Sequence, residues 1–255
     1  MTLLLALAWV VGVTSFTLLG SLYARRSGRA DLLIGLFVSF VLTAQMLAVK
    51  IAQFDLGSLG AWSAPAGVLI FSVTFLFTDI VNERFGRKEA QRMIFIAFIA
   101  QVAMAFFIWL GTQFDSDPMM VARGREWDDI FSLVPQITFA SWVAFLVSEN
   151  IDAYIFSWLK KATGGRHLWM RNIFSTLPAL AIDSVLFVSI AFYGESFELL
   201  TMIIYGQIVL KWTVGIVNIP FMYLNHFILH HGRSTPDRVL WDTGTGRQTT
   251  MDKLQ

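Results

Sequence analysis

Six ionisable side chains lie within long apolar stretches of the chain: Lys50, Asp79, Glu149, Asp152, Asp183 and Lys211. An ionisable group inside a bilayer is costly, and such groups usually face the interior of a helix bundle or a water-filled cavity. Carboxylates accept hydrogen bonds and lysines donate them. Together these residues therefore predict a site for a small polar molecule within apolar surroundings.

The composition predicts an integral membrane protein. The 255-residue chain is 56% hydrophobic and 15% charged, whereas soluble domains carry about 25% charged residues. Its net charge of +1 gives no support for a nucleic-acid partner. The absence of Cys excludes disulfides, thiolate metal sites and thiol nucleophiles. The expected partners are the lipid bilayer and a small molecule, and a homo-oligomer is left open.

The apolar blocks match the thickness of a bilayer core and predict seven transmembrane helices. They cover residues 3–23, 32–53, 64–81, 93–110, 130–158, 168–192 and 201–226. The first is expected to be a retained helix, because it has no basic region before it and is too long for a signal peptide. Of the 19 Lys and Arg residues, 15 fall on one side under this count. The positive-inside rule then places the amino terminus outside and the carboxyl terminus in the cytoplasm.

The stretch FTDIVNERFGRKEAQRMIF contains a basic turn between two apolar blocks, and Gly86 allows the chain to reverse there. Asp79 lies up to two helical turns inside the membrane. We expect it to act as a gate that pairs with a base such as Arg84 or Arg92, with a purely structural cap as the alternative. Asp152 is a second candidate gating or structural charge near the same face.

A helical rise of ~1.5 Å per residue places Glu149 and Asp183 about 16–18 Å from the cytoplasmic ends of their helices, near the midplane. Lys211 lies above them, and its long side chain can reach down. A purely structural ion pair between Asp183 and Lys211 is the alternative. The predicted substrate-binding residues are Glu149, Asn150, Asp183, Lys211, Lys50 and Gln45.

The fourth span carries only Gln101 as a polar residue, and the first span only scattered Ser and Thr. Both are predicted to be peripheral. The chain has no P-loop, no HExxH and no GxSxG motif. The sequence therefore predicts no enzyme activity, no cofactor and no metal site.

The same segments resemble the queuosine precursor transporter family, within the broader vitamin uptake transporters. After the basic stretch quoted above, SWVAFLVSENIDAYIFSWLKK, HLWMRNIFSTLPALAIDSVLFVSIAFYG and IVLKWTVGIVNIPFMYLN match later helices of that family in order. The resemblance covers about residues 32 to 230. The positions that fall on the family pattern are Asp79, Gly86, Arg92, Asp152, Ser175, Asp183, Phe187 and Lys211.

The resemblance implies an all-α integral membrane fold. Residues 32–231 would form a six-helix transporter core resembling the S components of energy-coupling-factor importers. Residues 1–31 would add an extra transmembrane helix and a basic cytoplasmic loop, and residues 232–255 a disordered cytoplasmic tail. The implied activity is import of 7-cyano- or 7-aminomethyl-7-deazaguanine across the bacterial inner membrane. The alternative is an S-component-like binding subunit for another vitamin or heterocycle, which requires an external energising complex.

A deazaguanine presents two donors, the N1–H and the exocyclic amine, beside the O6 acceptor. We expect Glu149 or Asp183 to accept from the donors and Lys211 or Asn150 to donate to O6. Aromatic side chains would stack on the ring. The candidates for stacking are Trp142, Phe145 and Phe187.

Overall fold

The structure, a computed structural model, describes residues 3–55, 57–162, 168–230, 240–241 and 248–249. Within these ranges some side chains, among them those of Asp79, Glu149 and Asp152, lie outside the described part. The tail prediction for residues 232–255 falls mostly outside it as well.

The described chain is mainly helical. Its helices are α1 (Leu3–Ser27), α2 (Asp31–Ala48), α3 (Val68–Phe85), α4 (Arg87–Gly111), α5 (Val121–Phe131), α6 (Val134–Ala162), α7 (Leu168–Ala191) and α8 (Phe197–His230). Its strands are β1 (Ile51–Asp55), β2 (Ala61–Pro65), β3 (Leu240–Trp241) and β4 (Gln248–Thr249). The strands pair as two antiparallel ladders, β1 with β2 and β3 with β4.

Each of the seven predicted spans overlaps a helix of 18 residues or more. By length and composition, four helical segments of the described residues can cross a membrane. They are Asp31–Ala48, Lys88–Gly111, Val121–Ser148 and Phe197–Gly215. The chain is thus a multi-pass membrane protein whose outward surface carries exposed aromatic side chains such as Phe106 and Phe107.

The connection between α2 and α3 is a β-hairpin. From the sequence, these residues were predicted to form the ends of two membrane spans and the loop between them. Ile51 pairs with Pro65 and Asp55 with Ala61. Helix α2 therefore ends at Ala48, five residues before the predicted boundary. Backbone N–H and C=O groups need hydrogen-bond partners after a helix ends. In the hairpin, the two strands provide these partners for each other.

The hairpin is seated on α8. Phe54 and Ala64 of the hairpin form a small buried cluster with Val68 of α3 and Leu210 of α8. Strand β2 comes so close to α8 that a Cβ added at Gly206 would overlap the backbone oxygen of Ser63. The end of the bundle covered in this way is called the hairpin end below.

At the opposite end, α3 and α4 are joined by the tight turn that the sequence predicted at Gly86. Gly86 has a φ of 86°, a conformation that glycine adopts without the penalty other residues incur. Arg25 and Arg26, in the last turn of α1, are close in sequence to the start of α2. Because Arg84 and Lys88 flank Gly86, this is called the basic end.

Two buried clusters form the core. One cluster contains residues of α1, α2, α3 and α4, among them Phe77, Leu33 and Met93. The other contains mainly residues of α6, α7 and α8, among them Ile137 and Ile203. Between these two clusters the bundle is less densely filled, and the candidate functional site lies there.

The seat of the hairpin gives a first testable prediction. Gly206→Ala is expected to lower the free energy of unfolding by about 1–3 kcal/mol, because the added methyl group meets backbone that cannot rotate away. Thermal unfolding of the purified protein in detergent measures the change. Gly215→Ala, in the same helix, is the matched control, since a Cβ there meets open space. Equal losses in both variants would contradict the close-approach argument.

Candidate functional site

Two neighbouring cavities lie between the core clusters. The smaller one, the ion-pair cavity, is bounded by α2, β2, α3, α6, α7 and α8 toward the hairpin end. The larger one, the aromatic cavity, lies between α2, α3, α4 and α6 and extends toward the basic end. Both take residues from the same short segments of α2, α3 and α6.

The ion-pair cavity contains Asp183 of α7 and Lys211 of α8. The Nζ of Lys211 donates to Oδ2 of Asp183, and the two side chains are 10% or less exposed. The hydroxyl of Ser148 lies 3.5 Å from the other carboxylate oxygen of Asp183. The Lys211 Nζ is also 5.9 Å from the centre of the Phe71 ring, within range of a cation–π contact. Each charge is therefore compensated away from water.

Gln207 lies one helical turn before Lys211 and is also buried. Its side-chain oxygen has no hydrogen-bond partner among the described residues, although it lines the same cavity. The free volume of this cavity is about 30 Å³. This is room for water rather than for a heterocycle, since a water needs roughly 10–15 Å³ by the same measure.

The aromatic cavity is much larger, about 350 Å³, at the lower end of the range of about 300–1,000 Å³ typical of small-molecule sites. None of the described residues that line it is ionisable. Its aromatic residues are Phe37, Phe71, Phe75, Phe95, Phe98, Trp142 and Phe145. Its polar residues are Gln45, Thr74, Thr78, Gln91, Gln101 and Ser141.

The hydroxyl groups of the two threonines are occupied by their own helix. Thr74 donates to the carbonyl of Phe71 at 2.6 Å, and Thr78 to that of Thr74 at 3.2 Å. These hydroxyls therefore present lone pairs to the cavity rather than protons. Among the described residues, donors on this surface come from the amide side chains and from Trp142.

Two buried glutamine side chains in the lining of the aromatic cavity are hydrogen-bonded to each other. The Nε2 of Gln45 in α2 donates to Oε1 of Gln101 in α4 at 2.9 Å. The hydroxyl of Ser141 in α6 donates to Oε1 of Gln45 at 3.3 Å. The three groups tie three helices together at one level of the bundle. Interhelical hydrogen bonds of this kind stabilise helix contacts in membranes.

Gln45, Phe71 and Ser141 line both cavities. These three residues are called the junction between the two cavities. From this level the aromatic cavity reaches Gln91 in α4, ten residues from Gln101, or about 15 Å at ~1.5 Å per residue. The two cavities together therefore occupy successive levels of the bundle from the hairpin end to the basic end.

Three of the six predicted substrate-binding residues, Asp183, Lys211 and Gln45, meet in the ion-pair cavity. Asn150 is exposed and its side-chain amide donates to the carbonyl of Leu146 at 2.6 Å. Lys50 is exposed beyond the end of α2, where the hairpin begins, so its assignment to the second span is wrong. Neither Asn150 nor Lys50 lines the ion-pair cavity or the aromatic cavity.

The predictions for Glu149, Asp79 and Asp152 concern side chains outside the described residues, and they stay predictions. Arg92, the third candidate gating charge, is exposed, and its Nη1 lies 3.0 Å from Oε1 of Glu89. In this structure the partner of Arg92 is therefore its neighbour one turn back. Of the aromatic candidates, Trp142 and Phe145 line the aromatic cavity and Phe187 the ion-pair cavity.

The prediction that the fourth span is peripheral is wrong. Helix α4 lines the aromatic cavity, and Gln101, the single polar residue of the predicted span 93–110, is buried against Gln45. The sequence did contain a signal, since a lone amide in an apolar span is costly unless it has a partner. That partner lies 56 residues away in the chain, so its identity could not be deduced from local spacing.

The comparisons with known proteins point to a family of transporters. Residues 65–225 match the sequence model of a family described as "Putative vitamin uptake transporter". A "probable queuosine precursor transporter" of Bacillus subtilis is 24% identical over 163 residues, which are 63% of this chain and 71% of the relative. A protein of the same description from Haemophilus influenzae is 26% identical over 176 residues, 66% of this chain and 72% of the relative. No solved structure matches.

Proposed function

Because the chain belongs to the vitamin uptake transporter family, we propose that it imports queuosine precursors, 7-cyano- or 7-aminomethyl-7-deazaguanine, across a bacterial inner membrane. The names of the two relatives support this substrate class. The basic end would face the cytoplasm, in line with the positive-inside rule. The six-helix core would comprise α2, α3, α4, α6, α7 and α8, with α1 as an addition.

The observation that carries the proposal is the aromatic cavity. Its volume of about 350 Å³ suits one flat bicyclic heterocycle. Its aromatic walls provide stacking surfaces. The hydrogen-bonding groups of Gln45 and Ser141 lie where it meets the ion-pair cavity.

We further propose that the substrate moves from the hairpin end through the ion-pair cavity and the junction into the aromatic cavity. In the described conformation the ion-pair cavity is too small for a heterocycle, so this conformation would be closed toward the hairpin end. When the pair separates in another state, Asp183 would accept hydrogen bonds from the donor edge of the substrate. Lys211 would donate a hydrogen bond to the substrate carbonyl. Glu149 keeps its proposed role as the alternative acceptor.

Rescue of tRNA modification tests the function. The protein is expressed in cells that neither make nor import deazaguanine precursors, nanomolar precursor is supplied, and queuosine in tRNA is measured. Restored modification that is lost in Asp183→Ala is the expected result. Absence of rescue, with the protein confirmed in the membrane, would overturn the proposed substrate. Uptake by purified protein in liposomes separates a self-sufficient transporter from a subunit that needs an energising complex.

A further inference from the structure

The Gln45–Gln101 amide pair has hydrogen-bonding capacity that no described residue uses. A primary amide carries two N–H donors and an oxygen with two lone pairs. Gln45 uses one N–H toward Gln101 and one lone pair toward Ser141. Gln101 uses one N–H toward the carbonyl of Ala97, at 3.3 Å, and one lone pair toward Gln45. Each amide therefore keeps one donor and one acceptor.

A third polar group that lines the same cavity also lacks a partner among the described residues. The indole Nε1 of Trp142 is buried and has no hydrogen-bond partner among the described residues. Trp142 lines the aromatic cavity next to Ser141 in sequence, and its ring centre lies 4.7 Å from that of Phe98. Buried donors and acceptors are normally satisfied by protein, water or ligand. Here the unused groups of three side chains lie around one cavity.

We propose that the Gln45–Gln101 pair, with the Nε1–H of Trp142, is the specificity-determining element of this transporter and binds the lactam edge of a flat heterocycle. This inference rests on the proposed function. A lactam presents an N–H donor beside a C=O acceptor, and the spare acceptor and donor of one amide side chain match that edge as a two-bond pair. The Trp142 ring and Phe98 form part of the apolar wall along the ring of the ligand.

The described residues that line this cavity are all uncharged, and they can recognise a ligand through neutral hydrogen bonds. Asp183 and Lys211 lie in the other cavity and compensate each other there. In the described conformation they are not free to bind the ligand edge. Selection among flat molecules would therefore depend on the amide pair, while the ion pair would act at a different step.

Equilibrium binding of radiolabelled 7-cyano-7-deazaguanine to the full protein in lipid nanodiscs tests the proposal. Competition by 7-deazaguanine is compared with competition by its O6-methyl ether, which lacks the lactam N–H and the free carbonyl. The wild-type protein is expected to bind the lactam about a hundredfold more tightly, since two hydrogen bonds are lost at about tenfold each. In Gln101→Leu this ratio is expected to fall below about tenfold.

The ratio is independent of the fraction of folded protein, so partial unfolding of the variant does not obscure the result. Trp142→Phe, which removes the N–H and keeps the ring, is expected to weaken lactam binding by about tenfold. Gln113 is an exposed glutamine just beyond the carboxyl-terminal end of α4. The control variant Gln113→Leu is expected to leave the ratio unchanged. A wild-type ratio in Gln101→Leu would overturn the inference and leave the proposed function intact. No lactam binding by wild-type protein would overturn both.

Discussion

Lys211→Met is expected to abolish uptake and to lower the free energy of unfolding by about 3–5 kcal/mol, the cost typical of removing one partner of a buried ion pair. The variant leaves the Asp183 carboxylate, 10% exposed in the wild-type structure, without its cation in apolar surroundings. The Ser148 hydroxyl at 3.5 Å is too long a contact to replace the ammonium group. Thermal unfolding in detergent and precursor uptake in cells give the two readouts.

The double variant Asp183→Leu/Lys211→Met separates a structural role from a functional one. Replacing both members of a buried pair by apolar residues is often neutral or stabilising, so stability is expected to return to near the wild-type value. Uptake is expected to stay absent, because neither group is left to contact the substrate. Recovery of uptake together with stability would mean that the pair only holds α7 to α8.

An exposed pair provides the contrast for this experiment. Arg29 and Asp31 lie 3.0 Å apart at the basic end, with side chains 71% and 47% exposed. Exposed pairs contribute about 0–1 kcal/mol. Arg29→Gln should therefore change stability by no more than about 1 kcal/mol and leave uptake near the wild-type level. A loss as large as that of Lys211→Met would indicate a general sensitivity to charge rather than the effect of burial.

The sequence predicted a span over seven of the eight helices of the described residues, because a bilayer demands long apolar blocks, and such blocks are visible without knowledge of tertiary contacts. The short polar helix α5 lies almost entirely between two predicted spans and was not predicted. The turn at Gly86 was predicted for a similarly local reason, since a short basic segment between two blocks must reverse there. The proximity of Asp183 and Lys211 was also foreseeable. Opposite charges in spans of similar depth have a strong reason to pair.

The hairpin and the amide pair were not predicted, because both depend on contacts distant in sequence. The segment 51–65 is short and partly apolar, so it was divided between the neighbouring spans. Its seat on α8 depends on Gly206, about 140 residues further along the chain. The cavity at Gln101 requires knowledge of which helices are neighbours, and hydropathy alone does not contain that information.

Ser141→Leu is expected to block the junction between the two cavities. Ser141 lines both of them, and a leucine replaces the hydroxyl oxygen by three carbon atoms at the point where the substrate would pass. An overpacking cost of about 3 kcal/mol in the passage state corresponds to about a hundredfold lower uptake rate. Binding in the aromatic cavity should fall by no more than about tenfold, because one hydrogen bond to Gln45 is lost.

Ser141→Ala distinguishes the steric effect from loss of the hydroxyl. It removes the same hydrogen bond but adds no atoms, so uptake is expected to stay within about tenfold of the wild-type rate. Ser189→Leu, on an exposed position of α7, introduces the same side chain outside both cavities and should transport normally. If Ser141→Leu bound and transported at wild-type rates, the substrate would not cross this junction. If binding and uptake fell together a hundredfold, Ser141 would belong to the binding site itself, and a route through the junction would lose its main support.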